Sequence, residues 1–177
     1  GYLSIIIFLS KKEKNCLTMS KTPENALFRA SPAFKKRVIQ LIYKQGCSKK
    51  EFALRVGVSE PVITRATLDG IIPTTPILVK IADSLKISLE YLICRTENEK
   101  INLSKFPTTF HVRLERLTNK AHVNYGQIAQ KMRFPRTYFY EWQKKKTFPC
   151  VDYLVDIADY FEVSIDYLMG RTDTLHI

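Results

Sequence analysis

Shifted by 76 residues, the segment Phe34–Glu97 lies on Phe110–Asp173 without a gap, and sixteen of the 64 positions are identical. Phe34, Arg37, Leu41, Ala53, Pro73, Leu78, Ile81, Ala82, Ser88, Tyr91, Leu92 and Arg95 are among the residues that recur. Unrelated stretches would share about four, so the chain carries an internal repeat, and a repeat sets the organisation before any single element does. A length of 177 residues fits one large unit or two small ones, and the repeat selects two. Units this small bury only a marginal core alone, so the two are expected to pack together or to dimerise. The expected layout is an N-terminal arm over 1–30, a first unit over 31–97, a linker over 98–109, a second unit over 110–173 and a tail over 174–177.

Apolar spacing inside each unit is helical throughout, which makes the fold class all-α. In the first unit Ser31-Pro32 opens a helix with Phe34, Val38 and Leu41 inside, and Gly46 ends it. Ser48 and Glu51 form a capping box for a second helix burying Phe52, Ala53 and Val56, closed by Gly57 in a left-handed turn. Ser59 is expected to cap a third helix around Ile63, Thr75-Pro76 to start a fourth, and Ser88 to cap a short fifth. The second unit repeats the plan: Asn124 and Gln127 form a capping box, Arg133-Phe134-Pro135 breaks the run, and a helix over roughly 136–144 buries Phe139. Each unit is thus expected to hold five helices, the second and third joined by a tight turn.

The net charge of +11, with a pI of about 9.5, points to nucleic acid or another anionic partner. Its distribution is polarised. Residues 110–146 hold nine Lys/Arg against Glu115 and Glu141, a balance of +7, whereas 147–173 balance at −5. In the first unit 34–72 balance at +5 and 73–97 are neutral. A merely solubilising charge has no reason to gather in the half of each repeat that holds the helix pair.

F-A-x-x-V-G-V-S-x-x-x-I-T from Phe52 and L-x-x-I-A-D-x-L-x-I-S-x-x-Y-L from Leu78 resemble the lambda-repressor or Cro-type helix-turn-helix family, also called XRE. The likeness covers 34–97 and, more loosely, 110–173. In the second copy Arg133 stands at the turn glycine, at a cost of roughly 1–2 kcal/mol if that residue is left-handed, and Pro135 replaces the capping serine. The first copy lacks the family's Trp and acidic residue after its third helix. The resemblance implies two tandem five-helix DNA-binding units, with double-stranded DNA as partner. Lys49 and Tyr125 then occupy phosphate-contacting positions at the starts of the second helices. Glu60, Pro61 and Arg65, and Arg136, Thr137 and Glu141, occupy base-reading positions. Arg reads guanine O6 and N7, and Glu accepts from cytosine N4. Lys144, Lys145 and Lys146 would clamp phosphates without reading sequence. Tyr138 and Tyr140 either stack on bases or pack against the other repeat. The fifth helices are placed where protomers of the family meet, giving a pseudo-dimer within one chain or a homodimer.

Catalysis finds no support in the sequence. His111, His122 and His176 are scattered, and Cys16, Cys47, Cys94 and Cys150 form no C-x-x-C pair or zinc pattern. No cofactor and no metal are expected. The apolar run Ile5–Leu9 is too short for a membrane span, and its positive charges follow it. Residues 1–18 read as a leftover tag, a stretch translated from a misassigned start, or an arm that docks on the body or a partner. The expected function is a cytoplasmic, sequence-specific DNA-binding regulator that represses by promoter occupancy. The alternative is a protein-interaction module on the same scaffold, an antitoxin or an inhibitor of a nucleic-acid enzyme.

Overall fold

The computed structural model describes residues 30–176; the arm readings for 1–18 and most of 1–30, with Cys16, lie outside the described residues. Among these residues every element is helical. In chain order they are α1 (Pro32–Lys44), α2 (Lys49–Val56), α3 (Glu60–Leu68), α4 (Thr75–Leu85), α5 (Leu89–Leu92), α6 (Phe110–Ala121), α7 (Tyr125–Ala129), α8 (Thr137–Lys145), α9 (Val151–Tyr160) and α10 (Ile165–Leu168). An isolated antiparallel bridge joins Ala30 to Ile71.

Most helix starts follow the caps in the sequence, but the N-caps of α3 and α4, Ser59 and Thr74, make no side-chain cap bond. Ser31, Ser48, Ser88, Thr109, Asn124 and Ser164 each accept a bond from the backbone N–H three residues on. The Ser59 side chain makes no such bond, and Val62 N–H turns instead to the Ser59 carbonyl at 3.1 Å. Phe34, Phe52, Ile63, Leu78 and Leu92 are fully or almost fully buried in the first half, and Phe110, Leu114, Ile128, Phe139 and Leu154 in the second, all within one hydrophobic cluster. Each such side chain contributes about 1.5–3 kcal/mol.

The two halves meet through α5 and α10, and the polar contacts there are reciprocal. Leu89 N–H donates to both carboxylate oxygens of Asp166, at 2.9 and 3.1 Å, and Ile165 N–H donates to Glu90 Oε1 at 2.9 Å. Each short helix is therefore capped by the acidic second residue of the other. A four-residue helix has little stability of its own, and a carboxylate at its N-terminus meets the positive end of the peptide dipoles. Around these caps Arg95 pairs with Glu90 at 2.9 Å and with Asp159 at 2.6 Å. Arg171 pairs with Asp166 and, at 2.8 Å, with Asp83, and donates to the Ile87 carbonyl at 3.0 Å. Arg95 and Arg171, Glu90 and Asp166, and Asp83 and Asp159 all stand 76 residues apart. The contacts thus exchange partners as a local two-fold requires. Glu90, Asp166 and Arg171 are all buried. Burial raises the Asp166 carboxyl to about 6, against the opposing pull of Arg171 and the Leu89 N–H.

Tyr91 and Tyr167 have matching roles. Arg37 lies 3.7 Å over the Tyr91 ring and bonds Glu97, while Arg113 lies 4.2 Å over Tyr167 and bonds Asp173. The connecting stretch folds back on the second unit: Thr108 N–H reaches the Gly170 carbonyl and Ser104 N–H the Arg171 carbonyl. Gly170 has φ +74°, and a Cβ there would lie 2.4 Å from the Thr108 carbonyl oxygen. At the corresponding place in the first unit Cys94 adopts φ 65°, a conformation that costs a non-glycine residue about 1–2 kcal/mol.

Candidate nucleic-acid interface

The helix pair of the first unit is built on short-range bonds. Ser48 and Glu51 close the capping box, with Glu51 N–H to Ser48 Oγ at 3.2 Å and Ser48 N–H to Glu51 Oε2 at 2.8 Å. Gly57 ends α2 at φ 69°, which turns the chain into α3 without the strain a Cβ would bring. Helix α3 buries Ile63, Ala66 and Thr67, and the Thr67 hydroxyl returns to the Ile63 carbonyl at 2.9 Å. Lys35 reaches from α1 to the Leu68 carbonyl at 2.8 Å and holds the C-terminal end of α3. Lys49, Glu60, Pro61 and Arg65 are all exposed, so the residue expected at phosphate and the three expected at base edges are all open to solvent.

The second unit reaches a comparable arrangement by another turn. Helix α7 is only five residues long, closed by the box between Asn124 and Gln127. The chain then leaves the helix through Lys131 N–H to Ile128 O and Met132 N–H to Ala129 O. Arg133 is not among the residues with positive φ. The expected left-handed strain at Arg133 is therefore absent. This turn needs no glycine, and the side chain is used instead: it donates to both oxygens of Asp156 on α9, at 2.7 and 2.8 Å, and to the Asp152 carbonyl at 3.3 Å. Arg136 is the N-cap of α8 rather than its first residue.

Helix α8 is seated by aromatic rings. Phe139 and Trp142 are buried, and Phe134 and Tyr153 lie 5.2 and 6.5 Å from the Trp142 ring. Tyr138 stacks on Phe134 at 6.1 Å and meets Trp142 and Tyr153, while Tyr140 stands edge-on to Tyr125 at 5.3 Å. The ring contacts of Tyr138 and Tyr140 thus lie inside the second unit, not between repeats, and Tyr140 remains exposed. Tyr125 departs from a simple phosphate contact. Its ring stacks on Phe139 at 4.8 Å, its hydroxyl accepts from Gln143 Nε2 at 3.3 Å, and burial pushes its pKa up. Arg136, Thr137, Glu141, Lys144, Lys145 and Lys146 are exposed. Glu141 and Lys145 face each other one turn apart at 3.6 Å, and Lys146 Nζ reaches Gln143 Oε1 at 3.5 Å.

Two residues that hold these helices, Lys35 and Gln143, carry no signal in the sequence, and Arg133, expected only as a turn residue, is the third. Gln143 also donates to the His111 carbonyl at 3.1 Å, which ties α8 to α6. The partners of Lys35, Arg133 and Gln143 are 33, 23 and 32 residues away, and short-range spacing does not reveal such pairs. Glu90 and Asp166 do carry a signal in the sequence, an acidic residue two places after a capping serine in both copies. An identity count discards a Glu-for-Asp match.

Among the described residues no helix is long and apolar enough to cross a membrane, and no cluster of His, Cys, Asp and Glu is arranged to hold a metal ion. Neither the curated proteins nor the solved structures gave a match to the chain. The family model described as helix-turn-helix matches residues 39–92, from within α1 to the last residue of α5. It takes in the Ser48 box, the Gly57 turn and all of α3. Residues 39–92 are therefore similar to a helix-turn-helix of the XRE type.

Proposed function

We propose that this protein is a sequence-specific double-stranded DNA-binding regulator, a cytoplasmic repressor that acts by covering a promoter and that offers two recognition helices, α3 and α8, per chain. The observation that carries this is the outward face of α3, with Glu60, Pro61 and Arg65 exposed on a matched helix-turn-helix. Helix α8, with Arg136, Thr137 and Lys144 to Lys146 exposed, supports a second such face. A helix of this kind lies in the major groove with its N-terminal residues at base edges, and tight binding takes two of them about one helical turn, roughly 34 Å, apart. The reciprocal contacts of α5 and α10 favour a pseudo-dimer, in which one chain supplies both helices, over a homodimer through the fifth helices.

Selection of bound sequences from random duplex DNA tests the reading. A consensus should emerge, and its affinity should fall with salt at a slope of about −5 to −9, as expected for six to ten neutralised phosphates. A slope shallower than about −2 on the best sequence would mean that DNA is not the partner. A second reading, a protein-binding module of the antitoxin or inhibitor kind, draws on Ile39, Tyr43 and Leu54, which are exposed on α1 and α2 of the first unit. Failure to enrich any duplex, together with capture of one defined protein, would favour it.

A further inference from the structure

Positions 60 and 136 are equivalent under the 76-residue shift, as are 65 and 141. The first pair is Glu60 and Arg136; the second is Arg65 and Glu141. At both base-reading positions the charge is inverted between the two helices, and all four side chains are exposed. In an ordinary two-fold dimer both helices are identical and the operator is a palindrome. Here an acid in one unit stands where a guanidinium stands in the other. Arg donates to guanine O6 and N7, whereas a carboxylate accepts from cytosine N4 and repels the guanine acceptors. One half-site cannot satisfy both.

We infer that the DNA target is a single non-palindromic element whose two half-sites differ at these two positions, carrying cytosine at one position where the other half carries guanine, and that one chain reads the whole element. This rests on the DNA-binding reading above and deepens it. Two further observations support it. The N-termini of α5 and α10 are occupied by Asp166 and Glu90 of the same chain, which leaves neither short helix available to pair with a second copy in the same manner. The lysine run Lys144 to Lys146 has no counterpart in the first unit, where Leu68, Asp69 and Gly70 stand. The second half-site is therefore the more strongly anchored to phosphate, and the element has a polarity.

The test compares three duplexes against the full chain: the selected element, and two symmetrised versions built by duplicating either half. The selected element should bind one chain per duplex, and both symmetrised versions should bind at least tenfold more weakly. The double variant E60R/R65E, which gives α3 the charge order of α8, should reverse the preference toward the duplicated second half. Both residues are exposed, and an unchanged thermal melt verifies that the variant folds. A palindromic selected element, two chains per duplex, or a symmetrised version bound as tightly as the selected element would overturn the inference while leaving DNA binding intact. Failure to bind any duplex would overturn the DNA reading itself, and this inference with it.

Discussion

The two halves of the chain place their third helices by different means. In the first, a left-handed Gly57 makes the turn, and α3 turns Ile63 and the small Ala66 and Thr67 toward the core. In the second, the turn is made without a left-handed residue, Arg133 is tied to Asp156, and α8 is wedged in place by Phe134, Phe139, Trp142 and Tyr153. Trp142 occupies the place of Ala66, and Phe134 that of Val58. A third helix can thus be held outward on either support, although the charges on its outer face differ between the halves. The second half departs from the first at the turn glycine and in the length of its second helix.

The largest effect should come from removing the wedge. Trp142 is the only tryptophan of the chain and is 7% exposed, so Trp142→Ala should cost about 3–5 kcal/mol in urea denaturation. Ala66→Gly, at the equivalent place in the first unit, should cost only about 1 kcal/mol. Equal losses would mean that the aromatic cluster is not what holds α8.

Next in size is the buried carboxylate between the halves. Asp166 titrates at about 6 in the folded chain and near 3.9 when unfolded. A raised carboxyl pKa means that folding takes up a proton between those values. The contribution of this group therefore grows as pH falls from 6 toward 4, by no more than about 3 kcal/mol. Asp166→Asn should remove that part of the pH profile, as read by denaturation at pH 4, 5, 6 and 7. An unchanged profile would place the titration elsewhere.

The turns give the smallest contrast. Gly57→Ala puts a Cβ on a left-handed residue and should cost about 1–2 kcal/mol. Arg133→Ala removes a half-exposed ion pair and should cost less than about 1 kcal/mol. A larger loss at Arg133 than at Gly57 would show that the Asp156 bridge, and not the backbone, sets the second turn.

Much of this was legible in the sequence because caps and apolar spacing are local. The boxes at Ser48 and Asn124, the left-handed Gly57 and the buried Phe139 all follow from residues within four positions of each other. The relation between the halves was less legible. Its carriers, Glu90, Asp166 and Arg171, touch residues 75 to 88 positions away, and only the repeat hints at them. Arg133 was read by analogy as a strained turn residue, when an alternative backbone path removed the strain. Tyr125 was assigned by its place in the motif, but a large ring beside Phe139 finds a better site stacked in the core than extended to solvent.

Reading of DNA by both third helices is measured most directly by the affinity of Arg65→Ala and Arg136→Ala on the selected duplex and on its single-base variants, with Lys145→Ala as a control. Each arginine substitution should cost about 1–3 kcal/mol and relax preference at one base pair, the two in different half-sites, while Lys145→Ala weakens every sequence alike. If Arg65→Ala leaves affinity and base preference untouched, the first unit does not read DNA and the claim is contradicted.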